Sequence, residues 1–98
     1  MNVQFESSEK RSVKPSDVII NGKKRGTVFP YESEYCEDKF QCQLNFAGLF
    51  NPGGFGQTME EAVENTIQAG HDQLAEMTAD FNAFLAEVKF GEDANNEQ

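Results

Sequence analysis

The chain has 98 residues, 38% of them hydrophobic and nine of them Phe, enough for one modest core, which excludes two independent domains and a compositionally disordered chain. No apolar run approaches the roughly 18 residues of a membrane span, and Met1 to Lys10 lacks the apolar segment of a signal peptide, so the expectation is a soluble protein of the cytoplasm. The formal charge is -9 and unevenly spread: residues 1–25 carry six basic and three acidic side chains, the remainder two basic and fourteen acidic. Affinity for phosphate chains comes mainly from Lys and Arg, so the acidic body is expected to repel nucleic acid and anionic membrane and to suit basic partners.

Residues 1–16 are polar, with four Ser among mixed charges, and read as a flexible charged arm. Val18-Ile19-Ile20, Asn21-Gly22 and Lys23 to Phe29 then follow, and an Asn-Gly pair between two candidate strands is the strongest short-range hairpin signal, because both central residues of a type I′ turn need positive φ. Asp17 to Ile20 and Lys23 to Phe29 are thus expected to pair. Pro30 cannot donate to a ladder and ends or kinks the second strand, leaving Tyr31 to Asp38 as an acidic continuation or a loop. From Lys39 to Phe46 the pattern alternates, with Phe40, Cys42, Leu44 and Phe46 on one face and Gln41, Gln43 and Asn45 on the other, as in a strand with one wet face. Neither Cys36 nor Cys42 belongs to a CxxC pair, and reduced thiols are expected. Gly48 to Gly56 holds four glycines and Pro52 in nine residues, a flexible or tightly turned connection in which Leu49, Phe50 and Phe55 are read as lids on the core edge.

From Thr58 to Phe90 apolar residues recur at alternating steps of four and three: Val63, Ile67, Gly70, Leu74, Met77, Phe81, Phe84 and Val88. That spacing predicts one face of a long helix. Thr58 and Glu61 form a T-x-x-E capping box at its start, and Lys89 and Gly91 mark its end. At about 1.5 Å per residue the helix would span about 48 Å, whereas a strand of this sheet reaches roughly 20–27 Å. Either the helix breaks near Gly70 or Thr78 and folds back, or its distal half packs against another molecule. A seven-residue repeat is what a helix–helix seam needs, so Met77, Phe81, Phe84 and Val88 are a candidate dimer seam. The organisation expected is an arm over 1–16, one α+β domain over 17–91 and a disordered acidic tail over 92–98. The domain is a small antiparallel sheet of three to four strands packed against one long C-terminal helix.

The same helix carries Asp72, Glu76 and Asp80 at i, i+4 intervals, Glu60 and Glu64 at the same spacing earlier, and Glu87 beyond. Like charges so placed cost a helix a few tenths of a kcal/mol each, and no Lys or Arg lies between residues 40 and 88 to offset them. The functional alternative to a solvated face is a row of carboxylates standing in for backbone phosphates and occupying a basic groove, with Asp72, Glu76, Asp80, Glu87 and Glu64 as partner-binding residues. Glu60, Glu61 and Glu64 also suit the positive end of the helix dipole. The basic cluster Lys23-Lys24-Arg25 either contacts phosphate or an acidic partner, or keeps an edge hairpin soluble.

Enzyme chemistry finds little support. The single His71 lacks any metal-ligand spacing, and no Ser stands in a G-x-S-x-G turn. The glycine run before Thr58 lacks the Lys of a phosphate loop and is followed by three Glu. No metal, cofactor or catalytic residue is assigned.

Two families resemble the centre of the chain. Lys39-Phe40 through Gly54-Phe55-Gly56-Gln57-Thr58-Met59-Glu60-Glu61-Ala62 looks like double-stranded RNA-binding domains, whose last helix is entered by Gly-x-Gly-x-Ser/Thr-x-x-x-Ala. That resemblance implies lysines on phosphate at the helix start, where this chain has Met59, Glu60, Glu61 and Glu64. Gly56-Gln57-Thr58-Met59-Glu60-Glu61-Ala62 is also similar to the G-x-T-x-E-E-A segment of HicB-type antitoxins, which implies a ββα body neutralising a small basic ribonuclease toxin. In composition the chain resembles small acidic phage proteins that disable host defence, such as anti-restriction and anti-CRISPR proteins. These comparisons and the acidic ridge together lead to the expectation of a non-enzymatic inhibitor of a basic nucleic-acid-handling protein. An antitoxin-like neutraliser, or a nucleic-acid binder using Lys10, Arg11, Lys14, Lys23, Lys24 and Arg25, is the alternative.

Overall fold

The computed structural model describes residues 1–7, 15–35 and 37–88. Five strands run in chain order across one antiparallel sheet: β1 (Val3–Ser7), β2 (Ser16–Ile20), β3 (Lys23–Pro30), β4 (Phe40–Leu44) and β5 (Gly53–Gly56). One helix, α1 (Met59–Val88), follows, and a 3-10 turn at Ala47–Leu49 joins β4 to β5. This is the expected α+β architecture with more strands than expected.

The hairpin between β2 and β3 turns as its residues dictate, with Asn21 at φ 52° and Gly22 at φ 79°. Past the turn, Ile19 faces Lys24 but Val18 faces Gly26, so Arg25 is the extra residue of a β-bulge. β3 ends at Pro30, and β4 puts Cys42 and Leu44 inside and Gln41 and Gln43 outside, as the alternation requires.

Two strands lie where the sequence predicts none. β1 falls within the expected flexible arm, pairing residue by residue with β2 from Val3↔Ile20 to Ser7↔Ser16. Its end is tied by Asn21, whose N–H donates to the Asn2 carbonyl (2.7 Å) and whose side-chain oxygen accepts from the Asn2 N–H (3.0 Å). Those ladder bonds are main-chain bonds, indifferent to the polar side chains that suggest an arm. Residues 8–14 of that arm lie outside the described residues, as do Cys36, the Lys89 and Gly91 end signals and the tail over 92–98.

β5 lies inside the expected glycine loop, and its glycines have a packing reason. A Cβ on Gly54 would stand 2.8 Å from the Thr66 nitrogen, and one on Gly56 would collide with the Ala62 nitrogen. On the helix side Ala62, Thr66 and Gly70 are small, four residues apart and buried. Bare strand against small-residue ridge lets α1 lie directly on β5 and, beyond it, β4. Leu49, expected as a lid, is instead at φ 61° and almost wholly exposed beside the 3-10 turn. Phe55 pairs edge-on with Tyr31 (4.9 Å) on the opposite face of the sheet from the helix.

The buried core is Val18, Val28, Cys42, Leu44, Ala62 and Val63. Among the described residues no Phe belongs to it; the aromatic rings sit half-buried or exposed at its rim and beyond. α1 is one unbroken helix, so of the two alternatives the break near Gly70 or Thr78 with a fold-back does not occur. The Thr58 half of the capping box forms, the Glu61 N–H donating to Thr58 Oγ1 (3.0 Å), while Glu61 Oε1 accepts from the N–H of Gln57 (3.1 Å), one residue before the cap. Only the first three turns of α1 meet the sheet. From His71 to Val88 the helix projects past it for about 27 Å, within a longest molecular dimension of 64 Å.

Candidate interaction surface

Successive helix residues are rotated by about 100°, which sorts the projecting half of α1 into two faces about a third of a turn apart. Asp72, Glu76, Asp80 and Glu87 fall within roughly a quarter of the circumference, and every one of them is exposed. Successive members of the first three rise by about 6 Å along the axis. Asp72 accepts from Gln68 Nε2 (2.9 Å) and lies 3.5 Å from His71 Nδ1. Glu76, Asp80 and Glu87 make no ion pair among the described residues. Glu64 is exposed too, but stands about a third of a turn from the centre of this ridge, beside the sheet. The structure thus gathers four of the five sequence-predicted acids and sets the fifth apart.

The neighbouring face carries Leu74, Met77, Phe81, Phe84 and Val88, each 47–58% exposed. Phe81 and Phe84 stack on one another with ring centroids 6.0 Å apart. All four members of the sequence-predicted seam lie on this face, together with Leu74.

Where the helix leaves the sheet, the stripe runs into an apolar groove of about 240 Å³ lined by Phe46, Phe50, Pro52, Ile67, Gly70 and Leu74. Phe46 and Phe50 hold its wall, ring centroids 5.9 Å apart. Across Leu44, Phe46 and Ile67 it meets a second hollow of about 300 Å³ edged by Lys23 and Arg25. The Arg25 guanidinium lies 5.3 Å over the Phe46 ring, a cation–π contact that the bulge makes by turning this side chain toward β4's end. Lys24 Nζ is 3.4 Å from Asp17 Oδ1. The groove went unread in the sequence because its walls come from the β4–β5 connection, whose rings look like lids when only their order in the chain is known.

The donors of the α1 entry at Gln57 and Glu61 are taken by the protein's own side chains, as the capping box shows, and Asn65 Nδ2 donates to the Phe55 carbonyl (2.6 Å) to fix β5 against the helix. The glycine-rich segment that resembles two families is therefore a strand-to-helix packing device in this fold. His71 is exposed beside Asp72. Among the described residues no three His, Cys, Asp or Glu side chains come together as a metal site. Cys42 is a free, buried thiol; burial pushes its pKa up, against a smaller opposing effect of a hydrogen bond with Thr66. No helix among the described residues is long and apolar enough to cross a membrane.

No protein-family model, no curated protein and no solved structure matches the chain.

Proposed function

We propose that the protein is a non-enzymatic acidic inhibitor that binds and blocks a basic nucleic-acid-handling protein, by occlusion or by mimicry of a phosphate backbone. The observation that carries this reading is the projecting half of α1, an unbroken rod whose outer ridge bears Asp72, Glu76, Asp80 and Glu87, all exposed and with no Lys or Arg between residues 71 and 88. A ridge needed only for solubility gains from mixed signs, which also stabilise a helix through i, i+4 pairs. A ridge of one sign forgoes that gain, and what it retains is long-range attraction and register toward cations on a partner. The basic residues of the hairpin support a different role: Lys24 is engaged by Asp17 and Arg25 by Phe46, which suits a soluble turn better than a phosphate grip.

The test is capture of partners from candidate host lysate on the tagged protein, with and without nuclease, beside the D72K/E76K/D80K variant. The proposal expects a basic nucleic-acid-handling protein that survives nuclease, is displaced by heparin and is lost with the variant. Partners that vanish with nuclease, or that bind the variant equally, overturn it.

A further inference from the structure

From the apolar face of α1 we infer that a second copy of this chain covers the stripe from Leu74 to Val88, the two projecting halves packing antiparallel about a two-fold axis. This inference does not depend on the inhibitor reading, because it rests on the apolar stripe and not on the acidic ridge beside it.

Three observations carry it. The first is continuity. Val63, which presses on the sheet, Gly70, which faces Pro52 and Phe50, and the half-exposed Met77, Phe81, Phe84 and Val88 lie on one side of the helix. The sheet therefore fills the space in front of the proximal half, and a parallel partner in register would drive its own sheet into it. Only an antiparallel partner can lay its projecting half on this stripe while its body extends past the free end.

The second is charge. An acidic chain can self-associate only where the seam is poor in like charges. One border of the stripe, His71, Thr78 and Leu85, carries no acid, and the other carries Gln73, Asp80 and Glu87. A strongly basic partner would call for acids along both borders, and one border has none. The third is area. With about half of each of five apolar side chains uncovered, the stripe and its flanks present on the order of 500 Å² per copy, a large patch for a monomer. Two such surfaces, with the groove, reach the lower end of specific interfaces, roughly 1,200 Å² in total.

The four-three spacing sets the register. Leu74 meets the partner's Phe84, Met77 meets the partner's Phe81, and the partner's Val88 lands at Gly70, in the mouth of the groove walled by Phe50 and Pro52. Asp80 from each copy comes close to the axis, an unfavourable pair that gives the arrangement a signature.

Sedimentation equilibrium of the purified chain, from low to high micromolar, tests this directly. The expected mass is twice 11.0 kDa, with M77E/F81E reverting to the monomer at unchanged helical circular dichroism and D80N tightening the dimer several-fold. Spin labels on E60C, in a C36S background with Cys42 buried, should lie about 57 Å apart along the axis. A mass of 11.0 kDa throughout, a dimer that persists in M77E/F81E, or E60C labels within about half the stated separation would overturn it.

Discussion

Val63 and Phe81 stand on one line of α1, eighteen residues and about five turns apart, yet Val63 is 1% exposed and Phe81 58%. One face of one helix is therefore core at its start and open surface at its end. Stability should follow burial and not residue size. Val63→Ala should cost about 2 kcal/mol, two methyl groups plus the space they leave. Phe81→Ser should change the stability of the isolated chain by no more than about 0.5 kcal/mol, as exposed positions do. Urea unfolding at a concentration low enough to suppress association measures both.

The glycines of β5 make a second prediction. Gly56→Ala places a methyl group against the backbone of Ala62, which has no side-chain rotamer to yield. A loss of about 1–3 kcal/mol is expected in denaturant unfolding, with Gly53→Ala, whose nearest non-neighbouring atom would be 3.4 Å away, much milder.

Helix entry rests on the Thr58 hydroxyl. Thr58→Ala leaves the Glu61 N–H without its acceptor and should cost about 1 kcal/mol, whereas Thr58→Ser should keep most of it. Comparing the two in thermal unfolding separates the cap from simple loss of packing.

Cys42 offers a pH test. Because burial raises its pKa, the folded chain keeps a proton that the unfolded chain releases first. The contribution to stability is intact below the ordinary thiol range and is lost as pH rises through the raised value. In a C36S background, alkylation of Cys42 should be slow until the protein unfolds, and Cys42→Ala should flatten part of the alkaline decline in stability.

Glu76→Lys separates stability from function. It replaces two like-charge neighbours, Asp72 and Asp80 at i-4 and i+4, by two opposite-charge pairs, and should stabilise the helix by about 0.5–1 kcal/mol. On the proposed reading the same change weakens capture of the basic partner. A ridge of one sign would then be something the chain carries at a cost to its own stability.

The sequence and the structure part company where backbone, not side chain, decides. The hairpin at Asn21-Gly22, the alternation of β4, the Thr58 cap and the helical period of α1 were legible because each rests on a local pattern, whereas the continuity of α1 past Gly70 was open. β1 was not, since a ladder bond does not need an apolar side chain, and Ser7, Glu6 and Gln4 look like an arm. β5 was hidden by its glycines, which read as loop in isolation and become a strand only once α1 needs a surface without Cβ atoms. The acidic ridge was visible through its i, i+4 spacing, but Glu64 was grouped with it by sign and not by angle. The groove at Phe46 and Phe50 had no signal beyond two aromatic residues in a connection.

The proposed role of α1 is tested most directly by competition. The partner retained after nuclease treatment would be bound to a labelled nucleic acid and titrated with the wild-type protein and with D72K/E76K/D80K. Displacement of the nucleic acid by the wild type, and none by the variant at the same concentrations, is the result expected of an acidic ridge seated in a phosphate-binding groove. Equal displacement by both, or wild-type binding that leaves the nucleic acid in place, would contradict it.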